Sequence, residues 1–164
     1  MRIDQGGAAT LAAVIERDLL AITTIEQHAA ELTGGAMQRA HLDSLGFALH
    51  NIYNALENSF TQISLSFENH VRDRERWHRE LLDKMFLDLP PLRPAVLMNE
   101  SRPLMGNLLG FRHLFRHAYE FTLDEGKTSA LWRHWLAEGA AVKNALTQFS
   151  DTLRTIAATD PLPP

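Results

Sequence analysis

The stretch WRHWLAEGAAVKNALTQFSDTLRTI, residues 132–156, decides the fold. Its large apolar side chains recur in alternating steps of three and four residues, a spacing that places them on one face of an α-helix. The positions on this line are Trp132, Trp135, Gly139, Val142, Leu146, Phe149, Leu153 and Ile156. So regular a line predicts a long helix packed lengthwise in a helical bundle. Gly139, in the middle of the line, predicts the close approach of another backbone.

Two further helical patterns open the chain. In residues 11–32 the apolar side chains again recur at helical spacing, and the pair Gly34-Gly35 ends the pattern. The second pattern begins near Asp43 and continues for about seven turns. Its predicted core-facing stripe consists of Phe47, Ile52, Tyr53, Leu56, Phe60, Ile63 and Phe67.

The middle of the chain is less regular. Residues 77–86 predict a short helix, and the three prolines in residues 89–94 exclude helix and predict a loop. Ser101 followed by Pro103 is typical of a helix start, with a capping side chain and then a proline in the first turn. The helix that begins there runs towards His117.

These patterns predict an all-α fold, an antiparallel four-helix bundle with an additional short helix. The chain has 164 residues and is 45% hydrophobic, enough to bury a sizeable core without cross-links. We therefore expect a single domain over residues 1–164, with loose tails at 1–7 and 158–164.

Composition excludes several classes of site. The absence of cysteine excludes disulfides and thiolate metal sites. No stretch approaches the roughly 18 apolar residues of a membrane span, and the N-terminus lacks the apolar core of a signal peptide, so we expect a cytoplasmic protein. The formal net charge is -4, so contact with nucleic acid would need a local basic patch.

The run RHLFRHAY, residues 112–119, holds most of the candidate chemistry. Arg112, His117 and Tyr119 form the pattern Arg-x4-His-x-Tyr. Arginine is a permanent cation whose planar fork suits phosphate, and histidine exchanges a proton near neutral pH. These residue types suffice for cleavage of a phosphodiester without metal. Because Arg112 and His117 lie about 140° apart on an ideal helix, they can share a site only if the helix ends or distorts between them.

Simpler interpretations of the basic residues stay open. Arginine and histidine near a helix C-terminus also stabilise the helix dipole. His113 and His117 have the spacing of a metal pair, but no further ligand follows at a recognisable spacing, so we predict no metal site. The mixed-charge run of residues 72–79, which includes His78, predicts a solvated face, and binding along an RNA backbone is the less favoured alternative.

The motif and its surroundings resemble the HepT-like ribonucleases of the HEPN superfamily, the toxins of bacterial toxin–antitoxin pairs. The resemblance covers residues 47–156, with a pair of long helices, a loop broken by prolines, and a helix that ends in Arg-x4-His-x-Tyr. The segments 76–82, 92–97 and 111–123 look like one branch of this family. The resemblance therefore implies a HEPN-type bundle.

The resemblance also implies a reaction. The chain would be an endoribonuclease without metal or cofactor, in which the RNA's own 2'-hydroxyl attacks the adjacent phosphate and leaves a 2',3'-cyclic phosphate. Arg112 and His117 would be catalytic, and His113 and Arg116 would support them or bind RNA. HEPN ribonucleases typically join two motifs in a cleft between protomers, which implies a homodimer.

A partner is implied as well. In HepT-like toxins an MntA-like minimal nucleotidyltransferase, the antitoxin, adenylylates the tyrosine of the motif, here Tyr119. The added bulk and negative charge would oppose entry of an RNA phosphate. One alternative is a non-catalytic helical binding module that partners a nucleotidyltransferase, and another is a purely structural bundle.

Overall fold

The computed structural model describes residues 3–32, 39–68, 77–116 and 123–159, which form five α-helices and no β-strand. The helices are α1 (Gln5–Leu32), α2 (Arg39–Phe67), α3 (Trp77–Met85), α4 (Arg102–Arg116) and α5 (Glu125–Ala158). Four long helices and the short α3 confirm the predicted all-α bundle. In the described ranges, no helix combines the length and the apolar character needed to cross a bilayer.

Helix α1 packs against both α2 and α5, while α2 also contacts α3 and α4. In α1, Glu16 pairs with Arg154, and ten residues later Glu26 accepts a hydrogen bond of 2.8 Å from Nε1 of Trp135. Because the later residue of α1 meets the earlier residue of α5, these two helices are antiparallel. The fully buried centre of the bundle includes Ile15, Ile22, Leu49, Ile52, Leu56, Phe60, Ile63, Leu104, Leu108 and Val142.

The apolar line of α5 is buried from Trp132 to Leu153, as the sequence predicts, and Ile156 is partly buried. A Cβ atom on Gly139 would lie 2.7 Å from the indole ring of Trp135, in the same helix. The space that the glycine leaves is therefore filled by this indole, which turns its Nε1 to Glu26. The three atoms nearest to this Cβ all belong to Trp135, so the approach of a second backbone at Gly139 stays a prediction.

Two boundaries and one core position differ from the prediction. Asp4 accepts a hydrogen bond of 2.6 Å from the backbone N–H of Gly7, as a helix cap does, so α1 starts at Gln5 and residues 5–7 are not a loose tail. Helix α2 starts at Arg39, before Asp43. Phe47 is 61% exposed, although its spacing placed it in the core stripe. The extent of the domain over residues 1–164 stays a prediction.

The loop between α3 and α4 is held by a buried cation. The side chain of Arg93 is fully buried and donates hydrogen bonds to the carboxylate of Glu68 and to the carbonyls of Lys84, Leu87 and Pro94. Burial alone would raise the pKa of Glu68, but its hydrogen bonds with Lys84 and Arg93 lower it below the ordinary value. Since Glu68 follows α2, this cluster fixes α3 against α2.

Candidate functional site

Arg112 lies one turn before the end of α4 at Arg116. His117 and Tyr119 lie outside the residues that the structure describes, so the geometry of the complete Arg-x4-His-x-Tyr motif stays a prediction. Of the motif, the structure therefore describes Arg112, whose side chain on α4 contacts side chains of α2 and α3.

Two side chains of α2 hold the guanidinium group of Arg112. Its Nε donates a hydrogen bond of 3.0 Å to Oδ1 of Asn54, and its Nη2 lies 2.8 Å from Oε2 of Glu57. The side chains of Arg112 and Glu57 are only 10% and 8% exposed. A buried cation needs a paired charge and hydrogen bonds to offset its lost hydration, and these two residues supply both.

His78 of α3 joins this pair. Its Nδ1 lies 2.6 Å from Oε1 of Glu57, and its Nε2 lies 3.3 Å from Nη1 of Arg112. A guanidinium group can only donate, so Nε2 must accept, and Nδ1 must carry the hydrogen that goes to Glu57. The contacts therefore select one neutral tautomer and fix the plane of the imidazole. We call the side chains of Glu57, His78 and Arg112 the polar triangle.

Tyr53 of α2 lies close to the guanidinium group of the polar triangle. The guanidinium carbon of Arg112 is 6.0 Å from the centre of the phenol ring, at the outer limit of a cation–π contact. Burial, and then the negative charge of Glu57, raises the pKa of Tyr53 well above its ordinary value, so the phenol stays protonated at neutral pH. Its hydroxyl is buried without a hydrogen-bond partner among the described residues.

His50 of α2 lies one turn before Asn54, on the side of Arg116. Its imidazole stacks on the ring of Phe115, with 5.0 Å between centres. Burial lowers the pKa of His50, and the positive charges of Arg112 and Arg116 lower it further, so this histidine is neutral at pH 7. Its Nδ1 is buried with no hydrogen-bond partner in the described part of the chain.

A surface cavity of about 640 Å³ lies beside the polar triangle, between α3 and α4. It is lined by His78, Arg79, Glu80, Leu109, Gly110, Arg112 and His113. The structure thus brings His113, which is exposed, to the same cavity as Arg112. Arg116 is exposed one turn further along α4, where its charge acts on His50. A cavity with this lining can accept an anionic group against two arginines and two histidines.

The sequence did not identify two of these residues. His78 was assigned to a solvated face, and that prediction is wrong for this residue, whose side chain is 28% exposed and bonded to Glu57. Glu57 carried the more informative signal, because it follows Leu56 directly and lies four residues after Tyr53, both of which are buried. A carboxylate at such a position is rarely buried unless it is paired.

Comparison with known proteins assigns the family. A family model described as HepT-like protein matches residues 44–153. No curated protein and no solved structure matches the chain. The matched span includes the whole of α3 and α4, the polar triangle, and the Arg-x4-His-x-Tyr motif. The chain therefore belongs to the HepT-like family.

Proposed function

We propose that this chain is an endoribonuclease that needs no metal, with Arg112 and His117 as its catalytic residues. The observation that carries the proposal is the position of Arg112, whose guanidinium group lines a cavity with His78, Arg79 and His113 in a chain of the HepT-like family. His113 and Arg116 are exposed near the end of α4, where they can bind the RNA backbone.

The contacts of Arg112 suit the binding of a phosphate. A guanidinium group has five N–H bonds, and the contacts with Asn54, Glu57 and His78 use three of them. The contacts with described residues therefore leave the other two N–H bonds for phosphate oxygens. Because Asn54 and Glu57 already fix the guanidinium plane, little reorganisation is needed when negative charge develops on those oxygens.

The proposed reaction has two proton transfers. A base removes the proton of the 2'-hydroxyl, its oxygen bonds to phosphorus, and the bond from phosphorus to the 5'-oxygen breaks. An acid then protonates the 5'-oxygen, so the products are a 2',3'-cyclic phosphate and a 5'-hydroxyl. His117 is one proton carrier, and a homodimer would supply a second copy in a shared cleft. A strictly monomeric chain that stays fully active at every dilution would exclude that arrangement.

The test is cleavage of RNA by the purified chain in EDTA, with identification of the product ends. We expect a 2',3'-cyclic phosphate, and we expect His117→Ala to abolish cleavage while the helical content stays intact. Arg112→Ala should lose about 10²–10³ in rate, the usual effect of removing one donor that stabilises transition-state charge. His113→Ala should be milder. RNA that stays intact with the wild type, or an inactive His113→Ala beside an active His117→Ala, would contradict the assignment.

We also propose that the chain is a toxin whose partner is an MntA-like minimal nucleotidyltransferase that adenylylates Tyr119. Mass spectrometry after incubation with that partner and ATP should place AMP on the peptide around Tyr119. Tyr119→Phe keeps the aromatic ring but lacks the acceptor oxygen, so it should still cleave RNA and escape neutralisation by modification. Equal silencing of both proteins, with no adduct on the wild type, would refute this step.

One observation favours the alternative, a non-catalytic binding module that partners a nucleotidyltransferase. Arg112 is nearly buried and its charge is balanced by Glu57, which is also how a purely structural arginine is held. The two functions predict different phenotypes. Expression of the chain alone arrests growth if it is a ribonuclease toxin, and has no such effect if it is a binding module.

A further inference from the structure

Glu57 and His78 form a carboxylate–imidazole pair that the proposed reaction has not used. Glu57 is buried on α2, and its Oε1 lies 2.6 Å from Nδ1 of His78 on α3. A carboxylate that accepts the Nδ1 hydrogen fixes the tautomer, leaves the lone pair on Nε2, and stabilises the imidazolium that forms when Nε2 takes a proton. His78 also lines the cavity beside Arg112, where a ligand can reach it.

The lone pair of His78 lies where a phosphate held by Arg112 would bind. Nε2 of His78 is 3.3 Å from Nη1 of Arg112, the longest contact in the polar triangle, while the two contacts of Glu57 are 2.6 Å and 2.8 Å. A charged phosphate oxygen is a stronger acceptor for Nη1 than an imidazole nitrogen. A bound phosphate would therefore replace Nε2 of His78 as the acceptor for Nη1, and the lone pair of Nε2 would then be free beside the phosphate.

We propose that His78, oriented by Glu57, is a second proton carrier of this site, the base that activates the RNA 2'-hydroxyl. Nε2 takes the hydroxyl proton, the 2'-oxygen bonds to phosphorus, the bond to the 5'-oxygen breaks, and His117 gives that oxygen a proton. The imidazolium of His78, stabilised by Glu57, then returns its proton to water, and His117 regains a proton from water. This inference rests on the proposed ribonuclease function, and it gives the role of base to His78 rather than to a second copy of His117.

The surroundings of His78 are consistent with an RNA-facing base. The charged and titratable groups around its imidazole are Glu57 on α2, Arg79 and Glu80 on α3, and Arg112 and His113 on α4. Trp77 contacts the imidazole edge-on, with ring centres 4.5 Å apart. The indole and Glu57 restrict the ring, so its Nε2 keeps one direction. A base on a surface loop would lack this restraint.

The main experiment compares two variants in the EDTA cleavage assay. In His78→Gln the amide can donate to Glu57 and accept from Arg112, so the contacts survive while the proton acceptor is lost. We expect the cleavage rate to fall by about 10²-fold or more, the usual contribution of a general base, with RNA affinity and melting temperature unchanged. In His78→Ala, added imidazole should restore cleavage in proportion to its concentration.

A matched control is His134→Gln. His134 pairs with Glu138 at 3.1 Å on α5, so this change also removes a histidine from a carboxylate pair. It should cleave RNA at the wild-type rate. A wild-type rate in His78→Gln overturns the inference and leaves the ribonuclease function standing. A loss of rate that follows a loss of RNA affinity, without rescue by imidazole, also overturns it and makes His78 a positioning residue. If the wild type does not cleave RNA, the proposed function fails and this inference fails with it.

Discussion

The ion pair between Glu57 and Arg112 should be one of the most costly single contacts in the bundle to break. Glu57→Ala would leave a guanidinium group that is 10% exposed without its carboxylate, while Asn54 and His78 could offer it only neutral acceptors. Removing one partner of a buried pair typically costs about 3–5 kcal/mol, because the remaining charge stays desolvated. We expect Glu57→Ala to lose stability in this range.

That loss would be large for a chain of this size. A domain typically has about 5–15 kcal/mol of unfolding free energy, so the variant would keep only part of it. At roughly 2–4 °C per kcal/mol, the melting temperature should fall by about 6–20 °C. The assay is urea unfolding followed by far-ultraviolet circular dichroism, in which a shifted midpoint at a constant slope reports a change in stability.

A matched pair on the surface provides the control. Asp83 and Arg102 also form a carboxylate–guanidinium contact, at 3.0 Å, but their side chains are 49% and 44% exposed. Water and salt screen such a pair, and it contributes about 0–1 kcal/mol. Asp83→Ala should therefore unfold close to the wild type. A Glu57→Ala variant that is no less stable than Asp83→Ala would refute the buried pair.

The double variant Glu57→Leu/Arg112→Met gives a second check. It removes both charges and fills their space with apolar side chains of similar size, so no buried charge is left unpaired. Such replacements are often neutral or stabilising. The double variant should be more stable than Glu57→Ala, and equal instability of the two would mean that the cost of Glu57→Ala does not come from the charge of Arg112.

Two more predictions concern stability. Gly139→Ala should lose about 1–3 kcal/mol of unfolding free energy, because its Cβ would meet the indole of Trp135 at 2.7 Å. Gly106→Ala should gain roughly 0.5–1 kcal/mol, because its Cβ would have nothing within 4 Å. Thermal unfolding measures both variants, and equal effects would contradict the packing around Gly139. Because the pKa of Glu68 is lowered in the folded chain, the unfolded chain binds more protons in acid. The contribution of Glu68 to the unfolding free energy is therefore present above about pH 4.5 and is lost as the pH falls through the folded pKa. Glu68→Gln should flatten the acid side of a stability profile, and an unchanged slope would refute the linkage.

The helices could be predicted because their apolar periods are long and regular, but their ends depend on single polar contacts. The cap that Asp4 provides for Gly7 extends α1 into a segment that the sequence analysis assigned to a loose tail. Phe47 shows the limit of periodicity in a different way. It lies between the buried Leu45 and Leu49, and its spacing fits the core stripe, yet its side chain is 61% exposed.

The candidate site could be predicted in part, since Arg112 was identified and its partners were not. Spacing within one helix is visible in a sequence, but the contacts that complete the polar triangle join residues 21 and 34 positions apart on three helices. The residue types of Glu57 and His78 were visible, and only the packing of α3 against α2 and α4 brings them together. That packing depends in turn on the buried Arg93 in the following loop.

The contacts of the polar triangle suggest that different arginines attract the RNA and stabilise the reacting phosphate, two roles that the motif alone would give to Arg112. Glu57 balances the charge of Arg112, so this ion pair adds no net charge to attract RNA. Long-range attraction of RNA depends on the net positive charge of the protein surface. Stabilisation of a reacting phosphate depends instead on hydrogen-bond donors that are already oriented. Under the proposed function, the exposed Arg79 and Arg116 would therefore bring the RNA backbone to the site. Arg112, held in place by its partners, would act on the phosphate once it is bound.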